Sequence, residues 1–517
     1  MKMASRLWLL SSLATLAVFV AALSLDFTSP WVQNDDYNGA FWSQAAHNFL
    51  RAGWRTSAGV PAPLYFGPLP IPAQDFYVHH PTLLPAVVTG TLAIFGEREW
   101  AARLVPIVCS VLTAAGLWLL VRRASGMRAA SLTLAMFVAL PMQLHYGRMV
   151  NFEALQMVWM VGAFLCLNQW RANSSRWWAA GFSLCLLLGM WTDWLGYLLA
   201  LILAAKFLLD RKERKLAFLL LALMTFAGCS FLIQLRCANS SAWNELIRAF
   251  QMRVSHGGVD GKTVTWPDWG RTVGGYLMTF YLPASWVLAL AGTGLALWRR
   301  RNWPNCAPQL LEASACLFLM NACYVLGLRN QSFVHDFASF YFSLPVAIMA
   351  GFCLETALIA ASKWSPLQRA MATILVLAVA SGMVATGVRR LNGIDSPFTM
   401  LDGTIEEPTQ LMPALGRAIR DNAPPGTTVL CNFDEYNSPL AYYAQRPLAT
   451  GLTSVEQLNE AAQEETGPVA ELFWLNDPAA AKIVSSLPPG RKMNLTIAGI
   501  PFCLWTPEVQ VSAAMAK

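Results

Sequence analysis

Long apolar runs broken by short polar connections fill the first three quarters of the chain. They lie near residues 7–25, 104–121, 129–146, 154–168, 177–192, 194–209, 215–235, 274–298, 310–328, 337–361 and 367–388. A membrane span takes roughly 20 apolar residues, so the pattern predicts about eleven transmembrane helices. The first run follows Lys2 and Arg6 and shows no clear cleavage site, so it reads as an uncleaved helix. After about residue 389 the long runs stop and Pro, Gly, Asp and Glu rise. There the pattern predicts strands over 427–432, 470–475 and 495–505, and a short helix over 438–445 opened by Asn437-Ser438-Pro439. The predicted architecture is an all-α polytopic membrane domain over 1–388 and a small α/β extracytoplasmic domain over 389–517.

The stretch 82–95 is apolar but short for a span, and charge decides its place. Basic clusters occur at Lys2/Arg6, Arg122/Arg123/Arg128, Arg171/Arg176, Arg211/Lys212/Arg214/Lys215, Arg299/Arg300/Arg301 and Lys363/Arg369. All six fall on the cytoplasmic side if 82–95 lies on the membrane surface, and most of the later ones flip outside if it spans. It therefore reads as an interfacial helix inside a first external loop, 26–103. The same count places the turn at 147–153, the turn at Asp193, loop 236–273, the end 329–336 and the C-terminal part outside.

Composition agrees. Of 517 residues 56% are hydrophobic and 13% charged, against about 25% charged in soluble domains. That excludes a single soluble globule, a disordered chain and a fibre. The net charge of +7 divides unevenly: residues 391–517 carry 7 Lys+Arg against 14 Asp+Glu, so the positive excess lies in the apolar part. It reads as topology signal and not as a nucleic-acid footprint. The 11 cysteines are scattered, without CxxC or zinc spacing. Cys431 and Cys503, alone in the polar domain, are permitted a disulfide but nothing in the sequence implies one.

Acidic residues are scarce before residue 390, so their positions inform. Asp35 and Asp36 follow the first helix, Glu153 ends the turn after Arg148, Asp193 separates two apolar runs, and His335-Asp336 precedes another. The topology puts all of them, with His79 and His80, on one membrane face. Ionisable groups gathered there suggest a site. Each also has a plain structural reading: a helix cap for Asp35 or Asp36, a dipole partner for Glu153, a turn former for Asp193, solvated loop positions for the histidines.

The order of these groups resembles a known family. Asp35-Asp36-Tyr37-Asn38-Gly39-Ala40, then Asn48-Phe49-Leu50-Arg51-Ala52-Gly53-Trp54, is similar to the first external loop of the glycosyltransferase family 39 superfamily: the protein O-mannosyltransferase and aminoarabinose-transferase-like enzymes of GT-C fold. Tyr77-Val78-His79-His80-Pro81-Thr82-Leu83 resembles their Lys/His-Pro-Pro-Leu motif, with His80 at the frequent lysine and Thr82 at the second proline. Ala101-Ala102-Arg103-Leu104-Val105-Pro106 resembles their Ala-Arg-Leu-Pro signature, Arg148…Glu153 their second acidic motif, and Tyr341…Pro345 their late Tyr-x-x-x-Pro. Thr192-Asp193-Trp194 stands where many bacterial members have Thr-Lys-Gly.

The resemblance implies a GT-C membrane glycosyltransferase, a hexosyl- or pentosyltransferase. It would take a sugar from a polyprenyl-phosphate donor at the outer membrane face and move it to an acceptor hydroxyl of a lipid, glycan or protein. It implies Asp35 as base, with Asp36 second, Glu153 assisting, and Arg148, His79, His80 and His335 at the phosphate; Asp193 and Tyr341 complete the set. A single displacement would invert the anomeric centre. The resemblance names no definite cofactor, and a divalent metal stays open. A lipid-linked-sugar transporter or flippase predicts ionisable residues at mid-membrane and repeated halves, and this chain shows neither. A non-catalytic scaffold has no need of the acidic pair together with the His-Pro motif.

Overall fold

The computed structural model describes residues 2–31, 36–255, 264–299, 308–361, 364–368, 370–371, 374, 381–386, 411–433, 437–452, 454–465 and 467–507. Asp35 and most of the predicted span at 367–388 lie outside them.

The described chain opens with α1 (Lys2–Leu23), α2 (Tyr37–Ala52), α3 (Leu83–Phe95) and α4 (Glu99–Ser125). Next come α5 (Met127–Ala139), α6 (Pro141–Tyr146), α7 (Phe152–Asn173), α8 (Arg176–Thr192) and α9 (Trp194–Leu209). Then follow α10 (Arg214–Ala238), α11 (Ala242–Val254), α12 (Trp266–Arg299), α13 (Pro308–Gly327), α14 (Arg329–Val334), a 3-10 segment Asp336–Phe342 and α15 (Ser343–Ala361). Beyond residue 410 lie α16 (Leu411–Asn422), β1 (Thr428–Cys431), α17 (Asn437–Ala444), β2 (Leu448–Ala449) and α18 (Val455–Glu464). The chain continues through β3 (Val469–Trp474), α19 (Pro478–Ser486), β4 (Gly490–Ile497) and β5 (Ile500–Pro507). Two compact units result. One holds residues 1–27, 78–84 and 103–401; the other holds 28–77, 85–102 and 402–517.

Among the described residues, six helices are long and apolar enough to cross a membrane: Ser5–Leu23, Glu99–Ser125, Arg214–Ala238, Trp266–Trp298, Pro308–Gly327 and Asp336–Ala361. The chain is a multi-pass membrane protein. Several predicted spans differ in form. The run 129–146 is two helices, because Leu140 is extended (φ −65°, ψ 123°) and Pro141 starts the next. A residue before proline is pushed out of the helical region, and hydropathy is blind to that break because both sides are apolar. Within α12 the helix is interrupted at Leu282, φ +59°, just before Pro283. Helix α3 has 13 residues, about 20 Å at 1.5 Å per residue, well short of a ~30 Å hydrocarbon core.

The first unit has one large core in which α12 packs most extensively on α15, and α15 on α5. At one end of the bundle, Arg171 of α7 pairs with Glu213 at the start of α10 (2.7 Å) and Glu312 of α13 (2.9 Å), and Lys206 of α9 joins both carboxylates. The opposite ends of α7 and α9 carry Glu153 and Asp193.

Gly292 of α12 lets that helix touch α15: an added Cβ would stand 2.0 Å from the Met349 carbonyl oxygen, whereas at Gly294 it would meet nothing within 4 Å. Gly292→Ala should destabilise by about 2 kcal/mol or more, since backbone is the obstacle. Gly294→Ala should be neutral or stabilising by up to ~1 kcal/mol through helix propensity. Thermal unfolding of the detergent-solubilised variants checks the opposite signs.

In the second unit a five-stranded sheet has the order β2-β1-β3-β5-β4, with β2, β1 and β3 parallel and β5 and β4 antiparallel. Leu415 and Ile419 of α16 and Leu440 of α17 cover one face; Leu458 of α18 and Ile483 of α19 cover the other. A capping box between Ser454 and Gln457 starts α18. The strand predicted over 495–505 is a hairpin instead. Ala498 (φ +52°) and Gly499 (φ +82°) make its two-residue turn, both central residues taking the positive φ that such turns demand. The disulfide does not form: Cys431 and Cys503 are both free and buried. Cys431 pairs in register with Leu472, and Cys503 with Phe473. Consecutive strand residues face opposite sides, so the two thiols sit on opposite faces of the sheet.

Candidate active site

The short segment 78–84 of the first unit carries His80, and three elements converge on its ring. Its Nδ1 is 3.1 Å from Asp193 Oδ1, its Nε2 is 3.1 Å from Arg253 Nη2, and Phe152 stacks on it at 4.6 Å. A guanidinium only donates, so Nε2 accepts and the imidazole proton sits on Nδ1, directed to Asp193. This is a neutral histidine. Burial pushes its pKa below the usual value; the hydrogen bond to Asp193 opposes this and the Arg253 charge adds to it.

Asp193 is fixed by the helix it begins. As N-cap of α9 it accepts the Trp194 backbone N–H at 2.7 Å, while the Trp194 indole donates to the His79 carbonyl at 2.9 Å. The turn-forming role foreseen for Asp193 is therefore real, and the same Oδ1 also orients His80. His79 is pushed down to about 4, by burial first and then by Arg253 and His80. His335, the residue after α14, stacks on Phe337 at 4.8 Å and is pushed down to about 4 by burial, then Arg253 and His80. All three histidines are thus pushed toward the neutral form by burial and by the charge of the same guanidinium.

Glu153 stands in the first turn of α7, 7% exposed. Its Oε1 accepts from Asn151 Nδ2 at 3.3 Å, and its Oε2 is buried without a hydrogen-bond partner. Asp193 is its charged neighbour. Tyr341, 1% exposed, has an unpartnered hydroxyl with Glu153 and Asp193 as charged neighbours. Buried polar atoms left unpaired are costly, so the Glu153 oxygen is a ready acceptor and the Tyr341 hydroxyl a ready donor for a polar ligand.

His79, His80, Glu153, Asp193, His335 and Tyr341 are therefore gathered in the first unit. Arg148 donates to the Leu25 carbonyl at the end of α1, which ties the turn to that helix. Asp36, in the second unit, is the N-cap residue of α2 but makes no capping hydrogen bond with its side chain. Two groups escaped the sequence reading, Asn151 and Arg253. The second had a signal: Leu246, Ala249 and Arg253 share one face of an amphipathic helix, α11, inside the loop 236–273. Among the described residues no group of three His, Cys, Asp or Glu is placed to hold a metal ion.

Solved structures place this architecture. The chain superposes on ArnT from Cupriavidus metallidurans bound to undecaprenyl phosphate, with a TM-score of 0.65 at 14% identity over 95% of this chain and 97% of that one. It also resembles the Archaeoglobus fulgidus oligosaccharyltransferase, with a TM-score of 0.58 at 14% identity over 89% of this chain and 68% of that one. The mycobacterial arabinofuranosyltransferase AftD gives a TM-score of 0.51 at 14% identity over 97% of this chain and 40% of that one. No curated protein matches by sequence. The fold is that of the GT-C glycosyltransferases. Within that class, residues 79–234 match the dolichyl-phosphate-mannose-protein mannosyltransferase family, so the likeness to the glycosyltransferase family 39 superfamily stands.

Proposed function

We propose that this protein is a cell-membrane glycosyltransferase that transfers a sugar from a polyprenyl-phosphate donor to an acceptor hydroxyl at the extracytoplasmic face, with inversion. The observation that carries the reading is the Asp193–His80–Arg253 chain beside the unpartnered Glu153 oxygen and Tyr341 hydroxyl. A polyprenyl phosphate leaves as an anion and needs a cation and hydrogen-bond donors more than a general acid. Arg253 offers the fixed charge, and His80, held by Asp193, offers it an acceptor that keeps the guanidinium in place. The acceptor hydroxyl, with a pKa far above neutral, needs a carboxylate to take its proton as the C–O bond forms. Asp35 is assigned that role, with Asp36 beside it. Glu153 is assigned to accept from a sugar hydroxyl, orienting the donor, and Tyr341 to donate to a sugar or phosphate oxygen. The ArnT structure, a complex with undecaprenyl phosphate, supports the donor class.

The partition into a membrane domain over 1–388 and an extracytoplasmic domain over 389–517 belongs to this proposal. A reporter that is active only outside the cytoplasm, fused after residue 400, should be active. Activity of the complementary cytoplasmic reporter there would overturn the orientation and with it the outward-facing site. The function itself is tested by incubating purified protein with radiolabelled lipid-linked sugars and measuring release of polyprenyl phosphate. No release with any lipid-linked sugar, against an active control enzyme, would sink the reading.

A further inference from the structure

Where α13 ends, the first unit carries a buried cation that the glycosyl-transfer reading leaves unused. Arg329 follows Gly327, the last residue of that membrane-length helix, by two positions and opens α14. It is 4% exposed. Its Nη2 donates to the Val264 carbonyl at 2.8 Å, and its guanidinium lies over the Trp266 ring at 4.6 Å. Its Nε is buried without a hydrogen-bond partner. Among the described residues no carboxylate pairs with it. Arginine is almost never fully buried unless paired, and a buried charge without a counter-ion is costly. A carbonyl and a ring face ease that cost but leave the net charge standing.

The surroundings say what kind of anion fits. Helix α14 packs on α11 and on α12. Asn330, next to the arginine, donates from Nδ2 to the Met252 carbonyl of α11 at 3.1 Å, and its Oδ1 is buried without a partner. Trp266 starts α12, a second helix long enough to cross a membrane, and the side chains of Trp266 and Met252 are exposed. Tryptophan at the end of a span marks the headgroup level of a bilayer. A cation, an unused acceptor and exposed apolar side chains thus occur together where two spans reach the membrane surface. An amphiphile with an anionic head meets all three. Its phosphate oxygens suit a guanidinium, a headgroup hydroxyl can donate to Asn330, and Trp266 and Met252 can border its chains.

We propose that Arg329 and Asn330 form a binding site for the phosphodiester headgroup of a resident membrane phospholipid, of which phosphatidylglycerol is the simplest that carries headgroup hydroxyls. The lipid supplies the counter-ion that the chain does not. This site goes beyond sugar transfer and does not depend on it: Arg253 serves the lipid-linked donor, and Arg329 stands on a different element.

The test uses the purified full-length protein with phosphatidylglycerol and zwitterionic phosphatidylcholine. Native mass spectrometry of the delipidated wild type, given both lipids, should show a single phosphatidylglycerol retained in preference to phosphatidylcholine. Arg329→Gln should lower that retention at least about tenfold through loss of a charge-assisted contact. Thermal unfolding separates ligand binding from a structural role. Without lipid, Arg329→Gln should melt no lower than wild type, because it removes an unpaired buried charge while its amide can still donate to Val264. Added phosphatidylglycerol should raise the melting temperature of the wild type and not of the variant. Trp266→Leu keeps the charge, should weaken retention by less, and replaces Arg329→Gln if that variant does not fold. Arg271→Gln alters an exposed cation on the same helix as Trp266, 3.8 Å from Asp268, and should retain lipid like wild type. Equal retention of the two lipids by the wild type, unchanged retention in Arg329→Gln or in its replacement, a lipid-induced rise that survives in Arg329→Gln, or an equal loss in Arg271→Gln would each overturn the proposal. So would one-for-one displacement of phosphatidylglycerol by undecaprenyl phosphate, which would give the site to the lipid-linked donor.

Discussion

Asp35→Asn should express and fold like wild type and lose about 10²–10⁴-fold in turnover at saturating donor, roughly 3–5 kcal/mol of barrier. The substitution preserves size and much of the hydrogen bonding but cannot accept the acceptor's proton. It also separates the two readings of this position. If Asp35 merely capped a helix, Asn would serve nearly as well, because the two rank together at N-caps. The neighbouring carboxylate, Asp36, occupies the N-cap position of α2 and makes no capping bond with its side chain. Near wild-type turnover in Asp35→Asn would move the base to Asp36. The same outcome for Asp36→Asn would remove the acid-pair mechanism altogether. Thermal unfolding of each variant, unchanged from wild type, is the control that assigns the loss to chemistry.

Membrane architecture was legible because a bilayer imposes it on composition. Apolar length locates helices, so the 13-residue α3 was expected within a residue of its observed start. Features that depend on backbone geometry escaped. The break at Leu140-Pro141 lies between two apolar stretches, and the Ala498-Gly499 turn interrupts what alternation alone reads as one strand. The site divides in the same way. His79, His80, Glu153, Asp193 and His335 stand out because ionisable groups are rare near a membrane, and their shared face was expected from topology; Tyr341 stands out only through the family resemblance. Arg253 lies 173 residues from His80, in a loop with ordinary basic residues. Only the packing of α11 on α10 and α14 within the first unit distinguishes it from Arg248. The opposite faces of Cys431 and Cys503 likewise follow from register, which spacing does not carry.

Arg253→Ala should be the most damaging change on the donor side. The donor phosphate is a diester with one negative charge, and the leaving polyprenyl phosphate gains up to a second. A cation fixed here therefore stabilises the transition state more than the bound substrate, and only that difference raises kcat. Charge-assisted hydrogen bonds contribute about 1.5–3 kcal/mol each, so losing two of them should raise donor KM and lower kcat together, with kcat/KM down about 10³-fold. His80→Ala should act more weakly, leaving the charge but removing the acceptor that holds it. A lysine at 80, the residue frequent at this place in the resembling family, puts a second cation against Arg253 in a position where the guanidinium now finds a ring nitrogen. His80→Lys should accordingly fall below wild type, and should recover when combined with Arg253→Gln. The pH profile has a definite sign. Burial holds the His80 pKa below the usual value, so donor KM should show no inflection near 6.5 and should rise only as pH falls through the lowered pKa. There the protonated ring ceases to accept from Arg253. Arg253→Ala with wild-type kcat/KM for the lipid-linked donor would remove this guanidinium from the phosphate site and leave the three histidines without a function in transfer.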